Sequence, residues 1–353
     1  MKILVFPAYT NPYQTLLYRA MAAARPDLEV FYSRHHRTLG SLPLLTSMIS
    51  KRVQGYRLLH IHWPSFWLSR GEAFSKHGAS LLLPVTIYLA KLLGFRLVWT
   101  VHNVLPHEPQ ALNDVKAARF LSRSVDAKIV LSPSTIEDMR CYGLDLDRLW
   151  VIPHGNYFGV YPDTISRSAA RDRLDVGDEE ILVLFFGQVR PYKGVSDLLD
   201  AFDGLQCPAA KLLLAGRIPD VALRREIRDA TKNSNVIAHE GHVNDEDVAV
   251  YFRASDVVCL PYRTITNSGS ALLALSFARP IIAPRSGSLS ELPSSVGYLY
   301  DPLSPGALSR SLADAISDHA GRAQRGRAAR AYAQTLRWDE IAAETLRLYA
   351  DLL

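Results

Sequence analysis

The chain has 353 residues, 48% hydrophobic and 21% charged, with 20 glycines and 20 prolines. That length suits two domains of roughly 150 residues each and excludes a lone small module; no repeat or low-complexity tract suggests a fibrous, disordered or solenoid chain. The formal charge of +5 hides an asymmetry, because residues 1–155 carry 18 Lys and Arg against 10 Asp and Glu while residues 156–353 carry 22 against 25, so an anionic partner is expected for the first half.

Three scattered cysteines, Cys141, Cys207 and Cys259, make neither a disulfide framework nor a close-paired zinc site, and imply a reducing compartment. The opening run Ile3–Phe6, ended by Pro7, is too short for a signal-peptide core and reads as a buried strand, so a cytoplasmic location is expected. The longest apolar stretch, Leu81 to Leu93, contains Pro84 and Lys91 and falls short of the roughly 20 residues of a spanning helix.

Along the chain, Ile3–Phe6, Leu58–Ile61, Arg96–Val101 and Lys128–Leu131 read as strands separated by helix-length segments, the rhythm of a parallel α/β sheet. After Val151–Gly155 a polar stretch runs to Glu180. The rhythm then restarts with Ile181–Phe186, Lys211–Ala215, Asn235–Ala238, Asp256–Leu260 and Pro280–Ala283, with helices at Val195–Phe202 and Val221–Thr231. The spacing predicts two Rossmann-like doubly wound domains, 1–155 and 156–335. A last helix, from about Ala323 to Leu353, is expected to cross back to the first domain over 336–353. Two such sheets facing one another would offer ligands a cleft at the strand carboxyl ends.

In the second half, Phe186-Gly187-Gln188-Val189-Arg190-Pro191-Tyr192-Lys193-Gly194 is a strand-to-helix turn with two bases where a helix start already favours an anion, and a diphosphate would fit. A plain loop with solvated bases is the competing reading. Asn267-Ser268-Gly269-Ser270 precedes the helical run Ala271–Ala278, giving a second anion-accepting helix start, or simply a serine N-cap. In the first half, Asn11, Tyr13 and Gln14 follow one strand, His60, His62 and Trp63 a second, and His102, Asn103, His107 and Glu108 a third. All belong to one rim. Trp and Tyr stack on sugar faces and His, Asn and Gln bond hydroxyls, so a sugar site is indicated. A metal site is the rival reading of the histidines, without a close-paired ligand pattern to support it.

At this point the chain resembles the GT-B glycosyltransferases, specifically the large family 4 type. The resemblance rests on FFGxxRPYKG at 185–194, the strand ending at Gly216, Glu240-Gly241-His242-Val243, ASDVVCLPYR at 254–263 and SGSALLALSFARPIIAP at 268–284. It implies a nucleotide-sugar donor on the second domain. Arg190 and Lys193 would meet the diphosphate, His242 and Val243 the base, and Ser268 and Ser270 the distal phosphate. Gly187, Gln188, Arg217, Tyr262, Asn267 and Gly269 complete the implied donor set. Two glutamates usual in retaining members are absent, their places taken by Ile265 and Leu273, and the usual arginine five residues before the lysine is Gln188.

The HWP, HNVLPHE and PHGNY elements are similar to bacterial exopolysaccharide enzymes, the GDP-mannose:glycolipid 4-β-mannosyltransferases. That likeness implies an inverting, metal-independent transfer of a hexose, mannose or glucose-type, to a lipid-linked saccharide in exopolysaccharide or glycolipid synthesis. GDP-mannose is the favoured donor, a UDP-sugar the alternative. Glu108 is the first candidate for the base, then His107 and His102; the acceptor would meet Asn11, Tyr13, Gln14, His62, Trp63 and Asn103. No cofactor or metal is implied, since two bases and two helix starts can neutralise the leaving diphosphate. The alternatives are a catalytically inactive relative serving assembly, or a retaining family 4-type transferase. Nucleic acid is not an expected partner, for the bases lie on no recognition element. The cluster Arg34, His35, His36, Arg37, Lys51, Arg52 and Arg57 flanks the apolar stretch Leu42–Ile49, which suits peripheral attachment to the anionic inner face of the cell membrane, or else a solvated face beside a core helix.

Overall fold

The computed structural model describes residues 1–8, 11–34, 42–64, 76–106, 114–205 and 207–353. The chain divides into two compact units, residues 1–155 with 337–353, and residues 156–336.

The first unit runs β1 (Lys2–Phe6), α1 (Pro12–Ala24), β2 (Glu29–Tyr32), α2 (Leu42–Val53), β3 (Leu58–Ile61), α3 (Lys76–Leu92), β4 (Arg96–Val101), α4 (Asp114–Ser124), β5 (Ala127–Val130), α5 (Ser134–Cys141) and β6 (Leu149–Val151). Its sheet is parallel, in the order β2-β1-β3-β4-β5-β6. Strand residues alternate between two cores. Leu59, Ile61 and Trp99 join Leu44, Met48, Leu83 and Ile87 on one face, while Leu58 and Val98 join Tyr13, Leu17, Met21, Ile341 and Tyr349 on the other. Asn11 caps α1 by accepting from the Tyr13 amide at 2.8 Å, and Pro12 occupies the first turn, where its missing N–H costs nothing.

The second unit runs α6 (Arg167–Arg173), β7 (Ile181–Phe186), α7 (Val195–Asp203), β8 (Ala210–Gly216), α8 (Val221–Ala230), β9 (Val236–Glu240), α9 (Val248–Ala254), β10 (Val257–Cys259), α10 (Gly269–Ser276), β11 (Ile281–Pro284), β12 (Gly297–Tyr300), α11 (Ala307–Ser317) and α12 (His319–Thr335). It carries a second parallel sheet in the order β12-β11-β10-β7-β8-β9. The last segment, α13 (Trp338–Leu352), belongs to the first unit and packs on α1.

The single helix expected over 323–353 is two. The Asn156 side-chain amide donates to the Ala333 and Leu336 carbonyls, at 3.1 and 2.9 Å, satisfying the end of α12 and letting Arg337 extend before α13 begins. Among the described residues, no helix is long and apolar enough to cross a membrane.

Candidate functional site

The order of each sheet reverses beside its first strand, and ligands of doubly wound sheets lie at such switch points, outside the strand carboxyl ends. In the second unit that point is between β7 and β10. The turn after β7 carries Gly187 in a left-handed conformation, φ +121°, where an added Cβ would lie 3.4 Å from Lys193 Nζ and 3.6 Å from Ser270 Oγ. Lys193 Nζ sits 5.6 Å from the centre of the Tyr262 ring, and the hydroxyls of Ser270 and Ser268 hold the buried Tyr262 phenol lower than burial alone would leave it. Gly187, Lys193, Tyr262, Ser268 and Ser270 therefore lie together at this switch point.

Gly194 is required by position as well as by φ +68°: a Cβ there would fall on the Pro261 carbonyl oxygen. Only glycine lets the β7 turn nestle against the end of β10. Ser268 caps α10, accepting from the Ala271 amide at 3.1 Å, so its hydroxyl has a capping duty alongside any ligand duty. Burial, reinforced by the Arg190 charge, holds the Lys193 ammonium below the usual lysine range, and an arriving anion would relieve that cost. Gln188, Arg217 and His242 are exposed and Arg190, Val243, Asn267 and Gly269 half-buried, all on segments following β7, β8, β9 and β10.

In the first unit β3 and β4 bring His60, His62, Thr100 and His102 to the face covered by α1 and α13. These rings are joined by hydrogen bonds. Tyr18 Oη lies 2.7 Å from His60 Nδ1 and 2.9 Å from His62 Nε2; Tyr349 Oη lies 2.5 Å from His60 Nδ1. His60 Nε2 meets Thr100 Oγ1 at 2.7 Å, and His62 Nδ1 meets His102 Nε2 at 3.1 Å. Trp63 stacks on His102, ring centres 4.1 Å apart, and Tyr13 packs edge-to-face with His102 and Trp338 and tilted against His154. Gly155 admits Trp338, whose indole occupies the space of any Cβ there.

Burial keeps these imidazoles neutral. His60 is lowered to about 3 and His154 to about 4 by desolvation, and His62 and His102 are lowered well below the usual range by burial and by neighbouring histidines. Among the described residues no group of three or more His, Cys, Asp or Glu could hold a metal ion; the nitrogens of His60 face hydroxyls, and those of His62 face the Tyr18 hydroxyl and His102.

Of the acceptor candidates, His62, Trp63 and Asn103 line a small cavity of about 50 Å³ with Pro64, Leu83 and Val104. Asn11 is the α1 cap, Gln14 is buried and donates to the Pro7 carbonyl at 2.9 Å, and Tyr13 is buried. Of the base candidates His102 is buried, whereas His107 and Glu108 lie outside the described residues. Tyr18, Thr100 and Tyr349 were not anticipated as site residues. Alternation with His102 on one face of the β4 segment was the available signal for Thr100; Tyr18 and Tyr349 gave none.

Residues 8–155 match the family described as glycosyltransferase family 4, and residues 166–332 match glycosyl transferases group 1. A GDP-mannose:glycolipid 4-beta-D-mannosyltransferase from Xanthomonas campestris pv. campestris is 29% identical over 323 residues, covering 90% of this chain and 82% of that protein. A D-inositol 3-phosphate glycosyltransferase from Xylanimonas cellulosilytica is 30% identical over 64% of this chain and 57% of its own length. Among solved structures, the sucrose-phosphate synthase of Thermosynechococcus elongatus superposes with a TM-score of 0.79 at 20% identity, over 99% of this chain and 98% of that one. The Anabaena protein HepE in complex with UDP-glucose does so with a TM-score of 0.77 at 19% identity, over 98% and 99%. Two parallel six-stranded sheets and these matches make the chain a member of the GT-B glycosyltransferases, with a family 4-type first domain and a group 1 second domain.

Proposed function

We propose that this transferase moves a hexose from a nucleoside-diphosphate sugar to a lipid-linked saccharide, with inversion at the anomeric carbon. The observation that carries the donor half of this reading is the cluster of Gly187, Lys193, Tyr262 and Ser270 at the β7/β10 switch point. A lysine poorly solvated there, beside a helix start, suits a diphosphate. The 29% identity to a GDP-mannose:glycolipid mannosyltransferase supports mannose and a glycolipid acceptor; the UDP-glucose complex of a structural neighbour keeps uridine donors in the panel. Inversion draws support from Leu273, which is buried in α10 and puts a hydrocarbon where retaining relatives keep a carboxylate.

In this reading Glu108 takes the proton of the acceptor hydroxyl as the donor bond breaks, and Arg190, Lys193 and the α10 start stabilise the departing diphosphate. His102, held neutral by burial, suits a hydrogen bond to a sugar hydroxyl better than storage of a proton. Supplying purified protein with GDP-mannose, UDP-glucose or UDP-glucuronate and a lipid-linked saccharide fraction should give one transferred sugar, its one-bond carbon–proton coupling at the anomeric carbon showing the configuration opposite to the donor's. Glu108→Gln should lower kcat about 10²- to 10⁴-fold. Turnover unchanged in that variant removes Glu108 as base, and no transfer from any donor supports the inactive-relative alternative.

The acceptor domain is proposed to lie on an anionic lipid surface. Of the expected Leu42–Ile49 stretch, Leu44 and Met48 are buried in the core and Ile49 is exposed. With Val53 of α2 and Tyr88 and Leu92 of α3, which are also exposed, Ile49 gives the apolar surface supporting this, and Lys51, Arg52 and Lys91 stand in the last turns of the same helices. Basic residues beside exposed apolar ones suit the lipid interface. Of the expected basic cluster, His35, His36 and Arg37 lie outside the described residues.

A further inference from the structure

Lys193 stands on a short and weakly held piece of backbone. Pro191–Lys193 is one 3-10 helical turn, closed by the Lys193 amide on the Arg190 carbonyl at 2.9 Å and the Gly194 amide on the Pro191 carbonyl at 3.2 Å, and such turns have poor hydrogen-bond geometry. Gly194, at φ +68°, joins the turn to α7 without a side-chain cap, and glycine restricts the backbone least of all residues. The local chain therefore does not fix the aim of the lysine; contacts from elsewhere in the second unit must.

Those contacts come from three consecutive residues at the exit of β10. The Pro261 carbonyl fills the space beside Gly194, and the centre of the Tyr262 ring lies 5.6 Å from Lys193 Nζ. Arg263 makes two kinds of bond to the same segment. Its backbone amide donates to the Tyr192 carbonyl at 2.8 Å, and its guanidinium donates through Nε to Asp197 Oδ2 at 2.7 Å and through Nη2 to Asp197 Oδ1 at 2.6 Å. One residue thus grips the segment just before Lys193 and again just after it, in the first turn of α7. Two-pronged pairing fixes the orientation of both groups, which a single ion contact does not. Both side chains are half-exposed, so the pair adds little to global stability and its consequence is local.

We propose that Arg263, with Asp197 as its counterpart, is a positioning residue that holds Lys193 in place for the donor diphosphate. This role rests on the reading that Lys193 meets that diphosphate. The two parts Asp197 could play there differ in sign. If its charge alone mattered, removing a negative group from the start of α7 would tighten the binding of an anionic donor. As one jaw of the grip, its removal frees the turn and weakens binding, just as removal of the Arg263 guanidinium does.

The test is calorimetric titration of the full chain with GDP-mannose and UDP-glucose, repeated with Arg263→Ala and Asp197→Ala, each alone and each combined with Lys193→Ala. Either single substitution should weaken the donor that binds by about three- to tenfold, the scale of coupling between residues in contact, at a melting temperature close to that of wild type. In the Lys193→Ala background neither should weaken binding further, since the group they position is gone; a general structural effect would act equally in both backgrounds. The positioning role is overturned if Asp197→Ala tightens binding, if Arg263→Ala leaves it unchanged while Lys193→Ala weakens it, or if both substitutions keep their full effect without the lysine. No binding by wild type, or binding that ignores Lys193, would overturn the donor-site reading and this role with it.

Discussion

Acidification should unfold the first unit selectively. His60 and His154 are lowered to about 3 and about 4 in the folded state by burial, against about 6.5 in an unfolded chain. Below pH 6.5 the unfolded state binds protons that the folded state refuses, so stability is fully present above that value and falls as pH falls. At pH 5 the loss is about 1.5 pH units for each ring, or about 2 kcal/mol each and about 4 kcal/mol for the pair. His62 and His102 are lowered as well and act in the same direction. Carboxylates contribute little between pH 7 and 5 because their own titration lies lower. All five tryptophans fall in residues 1–155 and 337–353, so tryptophan fluorescence in a urea titration reports on this unit alone. The midpoint should drop steeply from pH 7.5 to pH 5. A midpoint that does not move would mean the histidines are solvated, and the buried chain described above would be wrong.

Gly194→Ala should shift the second unit and spare the first, because its Cβ would overlap the Pro261 carbonyl at positive φ. A cost of about 3 kcal/mol lowers Tm by roughly 6–12 °C for a unit of this size, seen by circular dichroism while the tryptophan transition stays in place; an unchanged melt would show that the turn tolerates a side chain. Tyr88→Asp with Leu92→Asp should abolish sedimentation with phosphatidylglycerol vesicles, and Lys91→Glu should weaken it about tenfold, since reversing one base near the surface removes about 1 kcal/mol and adds repulsion. Equal sedimentation with phosphatidylcholine vesicles would speak against an electrostatic contribution.

The central strands of both sheets were legible because they are buried on both faces and read as apolar runs, as in Ile3–Phe6 and Ile181–Phe186. β2, β6 and β12 were not. All three are edge strands with partly exposed residues, so neither a continuous run nor a clean alternation marks them. The break between α12 and α13 was hidden too, since its cause is Asn156, about 180 residues earlier in the chain. Within the donor pocket, the Gly-containing turn and the Ser268 cap announce themselves locally, through glycine and N-cap chemistry. The histidine chain could be glimpsed only in part. His60 and His62 share a strand face by simple alternation, but Tyr349 reaches His60 across 289 residues of sequence, and read locally it is one more apolar position of an amphipathic helix.

The most direct measurement of the central claim is calorimetric titration of the full chain with GDP-mannose and UDP-glucose, and of Lys193→Ala with whichever binds. One donor should bind at a single site. Lys193→Ala should weaken it by about 1.5–3 kcal/mol, roughly ten- to a hundredfold, as expected for a lost charge-assisted bond to a diphosphate. Binding that ignores Lys193, or no binding of any nucleoside-diphosphate sugar, would contradict the placement of the donor at the β7/β10 switch point.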